Sequence, residues 1–163
     1  MRTLLALLAI LLAPSALAAE PATSEGWRGA RFGMTPAQVV AVFGGEAVRL
    51  SPEVKLADGK TVSVGIDGYA FEGLTFDVRF IFEAGKLSLV SLRTGQKAYI
   101  DTDAYQKLRQ ALVKKWGAPL EDTKDDNFID MRQTRWNRGA DRVDLKYIPG
   151  VVAIVHYPRP AAP

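Results

Sequence analysis

The sequence predicts an α+β fold made of two helix-plus-antiparallel-strand units, with helices packed on one face of an antiparallel sheet. Three observations lead there. Two stretches read almost alike, Asp77-Val78-Arg79-Phe80-Ile81 and Asp144-Leu145-Lys146-Tyr147-Ile148. Each follows a helix-like segment that ends in an aromatic residue and a glycine, Phe43-Gly44 and Trp116-Gly117. The segments run helix, strands, helix, strands, which suggests tandem units at 27–100 and 101–157 within a single domain, 27–157. Alternating polar and apolar residues describe any half-buried strand, so generic patterning is the rival account of the likeness.

The chain opens as a targeting segment. Met1-Arg2 supplies a positive start, 4–12 is an unbroken apolar run, and Pro14-Ser15 breaks it. Ala16-Leu17-Ala18 places small residues where a signal peptidase reads, so residues 1–18 are expected to be a signal peptide. The run is shorter than the roughly 20 residues a membrane helix needs. Residues 19–26 read as a flexible lead-in.

The first helix begins at Thr35-Pro36-Ala37-Gln38. Threonine caps, proline suits the first helical position, and Gln38 completes a capping box. Val39, Val40 and Phe43 form its apolar face, and Gly44-Gly45 ends it. Val62, Val64 and Ile66 then alternate with Thr61, Ser63 and Gly65, and Asp67-Gly68 reads as a turn. Leu74, Phe76, Val78, Phe80 and Phe82 make the clearest strand, with Ile81 the exception on its polar side. Ala84-Gly85 turns the chain into 87–92. There Val90 and Leu92 fall out of phase with Leu87 and Leu89, as a bulge or two-sided burial would explain.

A second helix is expected at about 102–116, capped by Asp101, Thr102 or Asp103. Tyr105, Leu108, Leu112 and Trp116 form one stripe, Lys114 and Lys115 lie in the last turn, and Gly117 and Pro119 stop the helix. Residues 121–127 read as a polar loop. A strand near 131–136 follows, then a closing hairpin of 142–148 and 151–157 around Pro149-Gly150. Val143, Leu145 and Tyr147 share a face, opposite Val152 and Ile154 if the loop has two residues. Residues 158–163 read as a disordered tail.

Composition narrows the chemistry. There is no cysteine, which removes disulfides, thiolate catalysis, Cys-based metal sites and the attachment point of a lipoprotein. Losing Arg2 with the leader takes the 21 Lys+Arg to 20 against 18 Asp+Glu, a net charge near +2. That balance and export argue against nucleic acid as a partner. His156 is the sole histidine, with no serine or acid arranged around it, and reads as a packed or edge residue. The acids Glu121, Asp122, Asp125 and Asp126 lack the glycine and distal glutamate of a calcium loop, and Lys124 interrupts them. No glycine-rich phosphate loop is present. Asp77 and Asp144 share outward faces with Arg79 and Lys146, as cross-strand pairs on a solvated sheet face would. No catalytic group, metal or cofactor is expected.

The candidate partner surface is therefore aromatic and basic. Trp27, Tyr69, Tyr99 and Trp136 fall outside the main apolar stripes, and such residues either anchor partners or cover core edges. Arg132, Arg135, Arg138 and Arg142 gather in one region, either as a solvated strand edge or as a patch, with Arg135, for lipid phosphate or an acidic partner.

The stretch Gly33-Met34-Thr35-Pro36-Ala37-Gln38-Val39, closing at Phe43-Gly44, resembles the SmpA/OmlA family of small outer-membrane-assembly proteins. Trp116-Gly117-Ala118-Pro119 followed by Thr134-Arg135-Trp136 looks similar further along, and a tandem pair of such units is similar to the beta-lactamase inhibitor protein-like fold. The resemblance implies a non-catalytic envelope protein, although family members are lipidated and this chain has no cysteine. The expectation is a periplasmic, non-catalytic protein-binding or envelope-assembly module with a protein partner and neither membrane span nor lipid anchor. The alternative is a periplasmic small-molecule or lipid-binding protein whose pocket lies between helices and sheet.

Overall fold

In the computed structural model the described residues are 24–95, 100–125 and 129–158. The leader at 1–18, Tyr99 and the tail beyond 158 lie outside them. In chain order the elements are α1 (Pro36–Phe43), β1 (Val48–Lys55), β2 (Thr61–Phe71), β3 (Leu74–Glu83), β4 (Lys86–Thr94), α2 (Thr102–Trp116), β5 (Glu121–Asp125), β6 (Met131–Arg138), β7 (Asp141–Ile148) and β8 (Val151–Pro158). The strands form an eight-stranded antiparallel sheet in the order β1-β2-β3-β4-β8-β7-β6-β5.

This overturns the expectation of two helix-plus-strand units. β4 pairs with β8 through Val90–His156, Ser91–Val155, Leu92–Ile154 and Arg93–Ala153, so the sheet runs through without a break. The helices are short, 8 and 15 residues. A continuous apolar cluster extends from Trp27 and Val39 through Phe80 and Leu92 to Leu145 and Ile154. The shared strand pattern was the ordinary period of half-buried strands, and joining β4 to β8 satisfies backbone groups that separate sheets would leave exposed at their edges.

The helix termini follow the expected chemistry. Thr35 Oγ1 accepts from the Gln38 N–H at 3.4 Å, and Gln38 Oε1 accepts from the Thr35 N–H at 2.9 Å. In α2 the Asp101 carboxylate accepts from the Ala104 N–H at 2.9 Å, and the Gly117 N–H closes the far end on the Val113 carbonyl. Tyr105, Leu108 and Leu112 are buried beneath α2, and Val39 beneath α1. On the strands Phe76, Val78 and Phe80 are fully buried, each contributing roughly 1.5–3 kcal/mol by area. The closing hairpin has the expected register, Tyr147 opposite Val152 and Leu145 opposite Ile154.

A slip between Val62 and Val64 turns Val62 to the side of Ile81, so that it does not share the face of Val64 and Ile66 as expected. Two further bulges set which side chains face the helices. Between Ile81–Leu89 and Phe82–Leu87, β4 carries one extra residue, Ser88, which brings Leu87 onto the face of Val90 and Leu92. The second corrects the sequence reading. Asp67-Gly68 is no turn; it lies inside β2, where the register slips between Ile66–Val78 and Tyr69–Phe76, and the chain reverses at Glu72-Gly73 instead. The slip moves the inward side from even to odd positions, so Tyr69 and Phe71 join Val64 and Ile66 on the helix face.

Three further expectations change. Residues 121–125 form the edge strand β5 rather than a loop, exposed throughout and charged at every position but Thr123, a composition that discourages pairing with another chain. The lead-in is anchored at its end, because the Gly26 N–H donates to Asp141 Oδ2 at 2.7 Å and Glu25 pairs with Arg138. Pro158, assigned to the tail, closes β8.

Candidate functional site

A cavity of about 180 Å³ lies between α2, the 26–28 segment and the middle of the sheet. Its floor is Leu92 of β4, Ile154 and His156 of β8, and Leu112 of α2. Its walls are Trp27, Tyr69, Phe71 and Trp116, and Arg28, Lys115 and Arg138 bring positive charge to it.

Each wall is held by a local device. Trp27 and Ala30 exchange backbone hydrogen bonds at 2.9 and 3.0 Å, which folds the chain into a tight loop. Gly26 at its base has φ +61°, and a Cβ there would stand 1.9 Å from the Ala30 carbonyl oxygen, so only glycine fits. Trp27 meets Tyr69 edge-on at 5.2 Å between ring centroids. Tyr69 and Phe71 stack at 6.5 Å, a pairing that exists because the β2 bulge put both on this face. Trp116 stands perpendicular to His156 at 6.1 Å and is backed by Trp136 at 5.6 Å. Trp136 is itself fixed by its Nε1–H, which donates to the Gly117 carbonyl at 3.1 Å.

The charges are unevenly compensated. Arg28 donates through both Nη atoms to Glu46, at 2.7 and 3.1 Å, and the bonded carboxylate raises the guanidinium pKa. Arg138 donates to Glu25 at 2.6 Å and lies 5.1 Å from the Trp116 ring centre. Lys115 Nζ rests 5.5 Å from the Phe71 ring and 5.9 Å from that of Trp116, with no carboxylate partner among the described residues. His156 is only 4 % exposed. Burial first, then the positive charges of Arg138 and Lys115, pull its pKa down to about 3, so its imidazole is neutral at ordinary pH. Among the described residues neither His156 Nδ1 nor Trp116 Nε1, both buried, has a hydrogen-bond partner.

Among the described residues no carboxylate lines the cavity, so His156 has no acid to orient it, and a pKa near 3 makes it a poor base at neutral pH. A second depression, over Tyr105, Arg109 and Asp122, is a closed network. Tyr105 Oη and Thr134 Oγ1 lie 2.7 Å apart, Thr134 donates to Asp122 at 2.8 Å, and Arg109 pairs with the same carboxylate. Among the described residues no group of three or more His, Cys, Asp or Glu is placed to hold a metal ion.

The residues expected as a partner surface are not brought together. Trp27 and Trp136 are 7 % and 2 % exposed, so neither is an outward anchor. Trp27 and Tyr69 meet, but as a pocket wall. Arg135 lies on the other face of the sheet, bonded to Glu121 at 2.5 Å and Asp144 at 2.8 Å. Tyr99 lies outside the described residues. The arginine cluster is dispersed: Arg132 binds Asp130, Arg135 binds Asp144, Arg138 binds Glu25 and Arg142 covers Tyr157. It sits on interior strands β6 and β7 rather than at an edge. The outward charges form cross-strand pairs, Arg79 with Asp67 and Arg135 with Asp144, with Lys146 Nζ 3.9 Å from Asp144. What differs from expectation is that Asp144 is 1 % exposed rather than solvated and is also held by the Tyr157 hydroxyl.

Sequence reasoning missed Arg28, Phe71, Lys115 and Arg138 as pocket residues and treated Trp116 and His156 as core. The bulge hid Phe71, and Lys115 is also what a helix C-terminus favours. No family model, curated protein or solved structure matches this chain.

Proposed function

We propose that this chain is an exported, non-catalytic binding protein of the cell envelope that holds a small molecule between α2 and the sheet. The observation that carries the proposal is the cavity of about 180 Å³ with aromatic walls and a buried, unpartnered imidazole nitrogen at its floor. A buried polar atom left without a partner costs about 1–3 kcal/mol, and native folds tolerate few of them. His156 and Trp116, which line the cavity, each carry such an atom closed off from the open space, so a ligand relieves that cost only as the side chain turns toward it. An apolar cavity of roughly 150 Å³ is enough for benzene, so the space suits one ring with a small substituent.

Two sequence features support the envelope setting: the leader-like pattern at 1–18 and the SmpA/OmlA-like stretch at 33–44. No helix of the described residues is long and apolar enough to cross a membrane. Binding of a protein partner through exposed tryptophans loses its support, because Trp27 and Trp136 are buried. The experiment is native mass spectrometry of protein recovered gently from an envelope fraction. A stoichiometric small adduct that disappears in Leu112→Trp, which fills the cavity, is the expected result. A protein that is always empty, and that no small ring compound stabilises against heat, refutes the proposal.

A further inference from the structure

We infer that the pocket selects a small monoanion with a flat apolar body, an arylcarboxylate in chemical class, with its charge at Lys115 and its ring among Trp27, Phe71 and Trp116. This rests on the reading of the cavity as a ligand pocket and adds the charge and shape of what it holds.

The charge follows from matching cations to acids around the cavity. Glu46 neutralises Arg28 through two hydrogen bonds, and Glu25 neutralises Arg138. Lys115 has no acid among the described residues, and neutral His156 adds no charge. With the buried Asp141 carboxylate taken up by the N–H of Gly26, Lys115 is the lining cation left without a bonded carboxylate among the described residues. A monoanion balances it, whereas a dianion leaves a surplus charge in a partly desolvated site and a cation meets repulsion.

The hydrogen-bonding atoms point the same way. Trp116 Nε1 is a donor only, and it has no acceptor among the described residues. His156 Nδ1, also without a partner, can donate in one neutral tautomer. A carboxylate offers two acceptor oxygens, so it takes the Lys115 ammonium at the open cavity and reaches one of these closed-off donors only as that side chain turns toward it. The Lys115 ammonium is already held near two rings, 5.5 Å from Phe71 and 5.9 Å from Trp116, so little side-chain freedom is lost on binding. Shape follows from the walls. Their aromatic faces favour a flat body that stacks or meets them edge-on, and the 180 Å³ volume limits that body to a single ring or its equivalent.

The test compares near-isosteric probes of different charge by calorimetry and by the Trp116 indole N–H signal in NMR. Benzoate is expected to bind at least about tenfold more tightly than neutral benzamide, a difference of about 1.4 kcal/mol, and benzamidinium to bind more weakly than either. Lys115→Met should reduce benzoate to the level of benzamide and leave benzamide unchanged, and Lys115→Arg should restore the preference. Benzamide or benzamidinium binding as tightly as benzoate overturns the charge assignment and leaves the pocket reading standing. Inorganic phosphate matching benzoate overturns the requirement for an apolar body. No binding by any ring probe into the millimolar range overturns both.

Discussion

Acidification between pH 7 and pH 4.5 should destabilise the protein through one identifiable group. The His156 imidazole titrates near 6.5 in an unfolded chain and at about 3 in the fold. The unfolded chain therefore takes up a proton first as pH falls, and the contribution to stability is complete above pH 6.5 and lost progressively toward pH 3. At about 1.36 kcal/mol per unit, the loss from pH 7 to pH 4.5 is about 2.5 kcal/mol. With a urea dependence of roughly 1–3 kcal/mol per molar, that moves the midpoint by on the order of 1 M. Glu46, Asp58 and Asp130 also have lowered pKa values, each held first by its bonded cation, and they act in the same direction at lower pH. The wild-type curve alone is thus not diagnostic, and the comparison with His156→Phe isolates the imidazole. Phenylalanine removes an unpartnered nitrogen and can extend into the adjoining cavity, so at pH 7 the variant should be as stable as wild type or more so. By pH 4.5 it should be ahead by a further 2.5 kcal/mol or about that. Urea unfolding followed by tryptophan fluorescence at several pH values reads the difference. Parallel curves for the two proteins would refute the reasoning, because they would mean that His156 is hydrated or hydrogen-bonded in the native state.

Three further outcomes test the frame around the pocket. Trp136→Ala should cost about 3–5 kcal/mol in urea unfolding, since it empties a fully buried ring position and strands the Gly117 carbonyl. Asp141→Ala should cost about 1–3 kcal/mol and accelerate hydrogen exchange at Gly26, whose N–H it leaves without its acceptor; unchanged exchange would mean the 24–27 segment is held by other contacts. Asp144→Ala should cost roughly 3 kcal/mol, because the Tyr157 hydroxyl loses its acceptor and Arg135 keeps only the exposed Glu121. Asp144→Leu combined with Arg135→Met should cost less than the single change, and a double-mutant cycle in which the two changes simply add would count against the coupling.

Local signals were legible where one residue type has one mechanical use. Thr35, Pro36 and Gln38 marked the start of α1, Asp101 and Gly117 bracketed α2, and Pro149-Gly150 set the register of the closing hairpin. Pairing between distant strands was not legible. Nothing in the composition of β4 distinguishes a partner in β8 from an exposed edge, because the antiparallel bonds between them are backbone to backbone. β1 went unread because its side chains are almost all exposed and carry no alternation. β5 looked like a loop because a charged edge strand and a polar loop have the same composition. The site was hidden for a further reason. Its wall depends on a phase change inside β2, and Asp67-Gly68 signals a bulge and a turn equally well.

The place of the cavity follows from how little helix this sheet has. Eight strands at about 4.8 Å spacing put the outer pair about 34 Å apart, and a helix with its side chains covers about 10 Å. Two helices thus leave a strip of roughly 14 Å uncovered. α1 lies against β1 and β2, and α2 against β6 and β7, so the strip falls over the middle of the sheet, where β4 meets β8. Phe80 and Phe43 fill one side of it, with ring centres 5.4 Å apart, and Trp27 adjoins both rings. Over Leu92, Ile154 and His156 the rings of Trp27 and Trp116 bound the gap without filling it. A longer apolar side chain at position 92, 154 or 156 would have closed it. A histidine stands there instead, with one buried nitrogen unbonded and, at the rim, a lysine without an acid partner among the described residues. Selection for stability alone would favour an apolar residue at that floor, so the imidazole is the position at which the proposed ligand pocket departs most directly from what packing alone requires.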